Sequence, residues 1–212
     1  AGAGVANRLD LATWLVSPDN PLTARVTVNW IWQEFFGRGL VKTTDDFGTR
    51  GEKPSHPELL DWLASRFESD GWSVKQLVRN IVTSATYRQS SKIRPGLQSK
   101  DPDNALLARQ SRVRLPAELI RDEALYASGL LTLEVGGKSV KPPQPAGVAS
   151  LAYGAKSDDS WVESKGDDKY RRGLYIHFQP ATPYPLLMNF DAPKSVVAQC
   201  KREQSNTALQ AL

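Results

Sequence analysis

Residues 20–39, NPLTARVTVNWIWQEFFGRG, constrain the fold more than any other stretch. Asn20 suits an N-cap, Pro21 suits the first helical position, and Gly37 suits the C-terminal cap. Between them, Leu22, Val26 and Trp30 form one apolar stripe. Ala24, Val28, Ile31, Trp32 and Phe35 cover another. A helix that is apolar on several sides belongs at the centre of a core, packed on more than one face. Arg25 and Asn29 interrupt it and, four residues apart, share a face. An unpaired buried polar group costs about 1–3 kcal/mol, so both need partners. The expectation is that the pair clamps the long polar segment KTTDDFGTRGEKPSHP onto the helix, with Asp45 and Asp46 as partners of Arg25.

The rest of the first two thirds also reads as helical. RLDLATWLVS places Leu9, Ala12, Leu15 and Val16 on one stripe, stopped by Pro18. Ser55 with Glu58 reads as a capping box opening a third helix, with Leu59, Leu60, Leu63 and Phe67 inward. Ser73 with Gln76 opens a fourth, with Val74, Leu77, Val78, Ile81, Val82 and Ala85 inward. A linker at 88–100 precedes a short helix from Asp101 to about Gln110. A longer one follows over 116–130, with Leu119, Ile120, Ala124, Ala127 and Leu131 spaced for burial. At Gly136 the chain turns rich in Pro and Gly, and RGLYIHF carries a short strand alternation. Thr207 with Gln210 starts a last helix that the chain leaves after about one turn, as in a truncated fragment. The fold class is therefore mainly α: an irregular helical bundle over 1–135, then a loop-rich segment over 136–212 packed on the same domain. At most one or two short strands are expected.

Composition narrows the function classes. The net charge is +4 in 212 residues, with bases and acids interleaved, so no nucleic-acid partner is expected. No apolar run approaches the roughly 20 residues of a membrane span. A single cysteine, Cys200, excludes an internal disulfide and a CxxCH haem site.

Several stretches line up with one family: NPLTARVTVNWIWQEFFGRGLV, DDFGTRGEKPSHPELLDWLASRF, GWSVKQLVRNIVTSATYRQSS, RLPAELIRDEAL, RRGLYI, FDAP and SNTALQAL. In this order they resemble the planctomycete-specific PSD-one domain, a domain of unknown function, with Trp30 standing where most members have arginine. The resemblance implies the C-terminal part of a large exported or periplasmic protein, with a second helical domain and a c-type cytochrome module upstream. It thus leaves haem c to other parts of the full-length protein and no cofactor to this fragment. It implies adjacent domains of the same polypeptide as partners, and a glycan or protein partner beyond them. It carries no catalytic residues.

The residues themselves offer several candidate sites. Asp45, Asp46 and His56 form the most enzyme-like cluster, since a carboxylate can orient an imidazole for general-base work. With two histidines and one cysteine, only carboxylates could complete a metal shell, and no metal is expected. Arg112, Arg114, Glu118, Arg121 and Asp122 read as an ion-pair network or an anion site built on forked guanidinium donors. Lys201 and Arg202 beside Cys200 would favour its thiolate, with His177 as a partner if the fold brings it near. Trp161, in a polar loop, reads as an exposed platform for a sugar ring or a partner, or as a loop anchor folded back. The leading expectation is a non-catalytic scaffolding or interaction module. The alternative is part of a hydrolase or lyase site completed by a neighbouring domain, using Asp46, His56 or Cys200.

Overall fold

The computed structural model describes residues 6–148, 161–194, 198–199 and 201–211. It is mainly helical and loop-rich, and the described residues contain no sheet. Two compact units divide it, Ala1–Val113 and Arg114–Leu212. The composition change at Gly136 falls inside the second unit.

The first unit is organised by α2 (Thr23–Phe36). Asn20 Oδ1 accepts from the backbone N–H groups of Leu22 (2.9 Å) and Thr23 (3.3 Å), and Gly37 ends the helix at φ 72°. Ala24, Val28, Trp32 and Phe36, each four residues on from the last, make the buried stripe. They pack with Leu60, Leu63, Ala64 and Phe67 of α3 (Pro57–Ser69) and with Leu77 and Ile81 of α4 (Val74–Thr83). Trp32 stacks on Phe36 at 4.1 Å between ring centroids, and Tyr87 meets Phe36 edge-on at 5.9 Å. Each Val, Leu, Ile or Phe among them removed from water stabilises the unit by about 1.5–3 kcal/mol. The opposite face of α2 is not covered: Leu22 and Trp30 are exposed. So the Ala24–Val28–Trp32 stripe is core, with Ile31 and Phe35 packed against it, while the Leu22–Val26–Trp30 stripe is not.

Local differences from the sequence reading have physical causes. In α1 (Arg8–Leu15) the Asn7 and Asp10 side chains form a reciprocal capping box, yet no residue of the helix is buried. Its apolar stripe points to solvent. The Ser55–Glu58 box does not form. His56 occupies the N-cap position, Pro57 starts the helix, and Ser55 donates instead from both its N–H (2.9 Å) and its Oγ (3.3 Å) to the Leu40 carbonyl. Ser73 Oγ does cap α4, but the Gln76 side chain turns away to Asn80. Ser84, extended at ψ 150°, separates α4 from the short α5 (Ala85–Arg88). The helix expected over 101–110 is absent. The Asp101 carboxylate takes the amides of Ala105 (2.7 Å) and Leu106 (2.9 Å), and Asn104 turns to φ 52°, which together wrap the backbone into a loop. The helical turn lies earlier, α6 (Leu97–Lys100).

The second unit is built on α7 (Ala117–Ala127). Its buried positions are Ala117 and Arg121, while Leu119, Ala124 and Ala127 are exposed. The inward face is thus set by polar bonding to a neighbouring loop and not by the apolar stripe. RGLYIHF is not a strand: Gly173–Tyr175 is a 3-10 turn, flanked by the isolated bridges Thr132–Arg171 and Val140–Ile176. A small apolar cluster joins Trp161 and Ile176 to Tyr184 and to Leu187 of α8 (Pro185–Asn189). The chain closes in a 3-10 turn, Ala208–Gln210.

Candidate functional site

Asn29 is fully buried and reads the backbone across the turn after α2. Its Nδ2 donates to the Val41 carbonyl (3.0 Å), and its Oδ1 accepts from the Val41 N–H (2.8 Å). This two-point contact needs the chain to pass very close. A Cβ at Gly39 would stand 2.6 Å from Asn29 Nδ2 and 2.5 Å from the Val41 carbonyl oxygen, so only glycine fits. The clamp expected of the polar pair therefore exists, but Asn29 makes it alone. Arg25 Nε donates to Asp61 of α3 (2.7 Å) and its Nη1 to the Pro21 carbonyl (2.6 Å), not to Asp45 or Asp46. Asp45 is exposed, and Asp46 accepts from Gly48 N–H and pairs with Arg50 at 3.8 Å. His56 Nδ1 meets Ser55 Oγ at 3.0 Å, so His56 and Asp46 bond to different partners.

In the second unit the basic cluster is dispersed among separate tasks. Arg121, buried, donates to the carbonyls of Arg171 (2.6 Å) and Lys169 (2.8 Å). Arg171, also buried, extends into the 134–138 loop and donates to the carbonyls of Lys138, Glu134 and Gly136. Its guanidinium lies 4.1 Å from the Tyr175 ring centroid, and the Tyr175 hydroxyl accepts from Gly136 N–H. Asp122 accepts from Gly173 N–H at 2.5 Å. Gly173 has no room for a side chain there, because a Cβ would meet the Glu118 carbonyl oxygen at 2.7 Å. Glu118 accepts from Arg202 (2.7 Å). Burial pushes its carboxyl up, but the Arg202 hydrogen bond and charge, with its own backbone N–H, outweigh that and hold it below the usual value. Arg112, in the first unit, is exposed.

The densest polar constellation was not legible as a site in the sequence. Arg114 Nη2 donates to Asp191 Oδ2 (2.5 Å), and its Nη1 donates to the Ser205 carbonyl (2.7 Å) and Gln210 Oε1 (3.0 Å). Asp191 also accepts from Ser205 N–H (2.9 Å) and Oγ (2.7 Å), while Gln210 Nε2 donates to the Asn189 carbonyl (2.7 Å). The Ser205 hydroxyl, then its backbone N–H, then Arg114 hold the Asp191 carboxyl down at about 2. The sequence marked only its ends, Arg114 among the candidate guanidinium donors and Gln210 in the Thr207 capping box, which the structure does form.

The family model described as "Protein of unknown function (DUF1553)", PSD1, matches residues 7–212. The chain belongs to this family. No curated protein and no solved structure matches it. Membership of this family thus adds no residue roles, and the geometry stands by itself. Trp161 is a loop anchor: it is buried, donates from Nε1 to the Pro142 carbonyl (2.8 Å), and stacks on Tyr184 at 6.1 Å and 12°. It offers no exposed platform. His177 lies 6.3 Å from the Trp161 ring and 3.4 Å from Ser139 Oγ; Cys200 lies outside the described residues. Among the described residues no group of three or more His, Cys, Asp or Glu is placed to hold a metal ion, and no helix is long and apolar enough to cross a membrane. Of the side chains that look chemical in the sequence, Asn29, Arg121 and Asp122 bind backbone, and Arg114 binds the Ser205 carbonyl together with the Asp191 and Gln210 side chains. What they accomplish is the fixing of loops.

Proposed function

We propose that this chain is a non-catalytic interaction module of a larger exported protein, and that α1 docks an adjacent domain of the same polypeptide. In this reading any haem c or glycan chemistry belongs to the neighbours that the module positions. The observation that carries it is α1 itself. Leu9, Leu11, Trp14 and Leu15, with Val16 after them, are all exposed, Trp14 by 51%. An eight-residue helix is marginal on its own, and its Asn7 cap contributes only about 1 kcal/mol. A helix carrying that much apolar surface reaches full stability only against a second surface.

The double substitution Leu11→Asp, Trp14→Asp tests this. In the chain alone, both side chains are exposed and the melting temperature should stay within about 2 °C of the parent. In the full gene product, the same pair should expose the region before residue 20 to limited proteolysis. Equal protease resistance of parent and variant full-length proteins would remove the reading.

A further inference from the structure

Within the modest overall charge lies a strong local imbalance. Residues 71–100 contain no Asp or Glu, but carry Lys75, Arg79, Arg88, Lys92, Arg94 and Lys100. Extending to Val113 adds Arg109 and Arg112 against only Asp101 and Asp103. That segment has an excess of six positive charges; the chain carries +4, so everything else together is net negative. Asp101 is buried, with both carboxylate oxygens held by amides, and Asp103 pairs with Arg38 at 3.8 Å.

The fold brings together the segments that carry Arg88, Lys92, Arg94 and Arg112. Gln110 N–H donates to the Ser90 carbonyl (3.1 Å), Gln89 Nε2 to the Leu107 carbonyl (2.7 Å), and Arg94 Nη2 to the Ala108 carbonyl (2.9 Å). Segments 88–94 and 107–112 therefore lie side by side. Arg88, Lys92, Arg94 and Arg112 are exposed, and among the described residues none of them forms an ion pair. Exposed aliphatic side chains stand among them in the chain: Ile93 (47%), Leu106 (68%) and Val113 (37%). The two aromatics of the segment, Trp72 and Tyr87, are packed on the core.

We propose that this face is a docking surface for an acidic, aliphatic-bearing peptide segment of a partner protein. Guanidinium forks match carboxylates in two-point pairs, and the aliphatic side chains match apolar residues between those carboxylates. A single-stranded nucleic acid would instead want exposed aromatic platforms, which the face lacks. A membrane surface would want an amphipathic helix with interfacial Trp or Phe, which it also lacks. The residues used lie outside α1, so this surface stands or falls apart from the proposed function.

The probe is a fluorescein-labelled peptide of repeated Glu-Glu-Leu, titrated with the whole chain at low salt and followed by anisotropy. Saturable binding should appear, weaken as salt rises, and vanish for the Gln-Gln-Leu analogue. The double variant Arg88→Glu, Arg112→Glu should weaken it at least roughly tenfold, while Arg8→Glu, outside the face, should change it less than about twofold. Far-ultraviolet circular dichroism establishes that both variants stay folded. Absence of saturable binding to the Glu-Glu-Leu peptide would overturn the proposal. So would equal loss in Arg8→Glu, or tighter binding to oligothymidylate or to phosphatidylserine vesicles than to the peptide.

Discussion

Asn29 and Arg25 sit one turn apart on α2, yet their energetic roles differ. Asn29 is sealed from water and satisfies both polar groups of Val41. Asn29→Ala would orphan a buried N–H and a buried carbonyl, costing about 3 kcal/mol in urea denaturation. Arg25 and Asp61 are 35% and 57% exposed in their side chains, so Arg25→Ala should cost under about 1 kcal/mol in the same assay. Asp191 gives a pH signature. Its carboxyl is held at about 2, against an ordinary 3.8, so its pairing is fully present above the ordinary value and is lost as pH falls through about 2. Carbon-detected NMR titration should place its midpoint near 2, and Arg114→Ala should move that midpoint upward. The sequence exposed Asn29 because an amide inside an apolar helix is conspicuous. It hid Asp191, because its partners Arg114 and Ser205 are 77 and 14 residues away and nothing local marks the contact.

Among the elements, α2, α3 and α4 were legible because one apolar stripe at helical spacing decides each of them, and tertiary packing agrees with it. Residues 101–110 were not, since a single carboxylate, that of Asp101, diverts two amides from helical bonding. α7 was found as a helix but with the wrong face inward. Leu119, Ala124 and Ala127 point out, Ile120 is half-buried, and the anchoring cation Arg121 points in to bind carbonyls of the 169–171 stretch. This inversion has a direct consequence. Arg121→Met keeps volume but orphans two carbonyls, and should cost about 3 kcal/mol. Leu119→Ser, at a position 47% exposed, should lie within about 0.5 kcal/mol of the parent. Equal costs at the two positions in thermal denaturation would contradict the assignment of α7's buried face.

For the molecule as a whole, the helical, loop-rich character was readable from periodicity and from the Pro and Gly content after residue 136. The basic character of 71–113 lies in the sequence too, but only residue by residue, because a whole-chain charge of +4 averages it away. The sequence did not reveal that the α1 stripe faces water, since periodicity shows that a face is apolar without showing what covers it. The conspicuous polar side chains fix loops, and the role proposed for α1 is to engage another surface. Hydrogen exchange of the α1 backbone amides, Arg8–Leu15, compared between the chain alone and the full gene product, tests this most directly. Slow exchange only in the full product, by at least roughly tenfold, is the expected result; equal rates in both would contradict it.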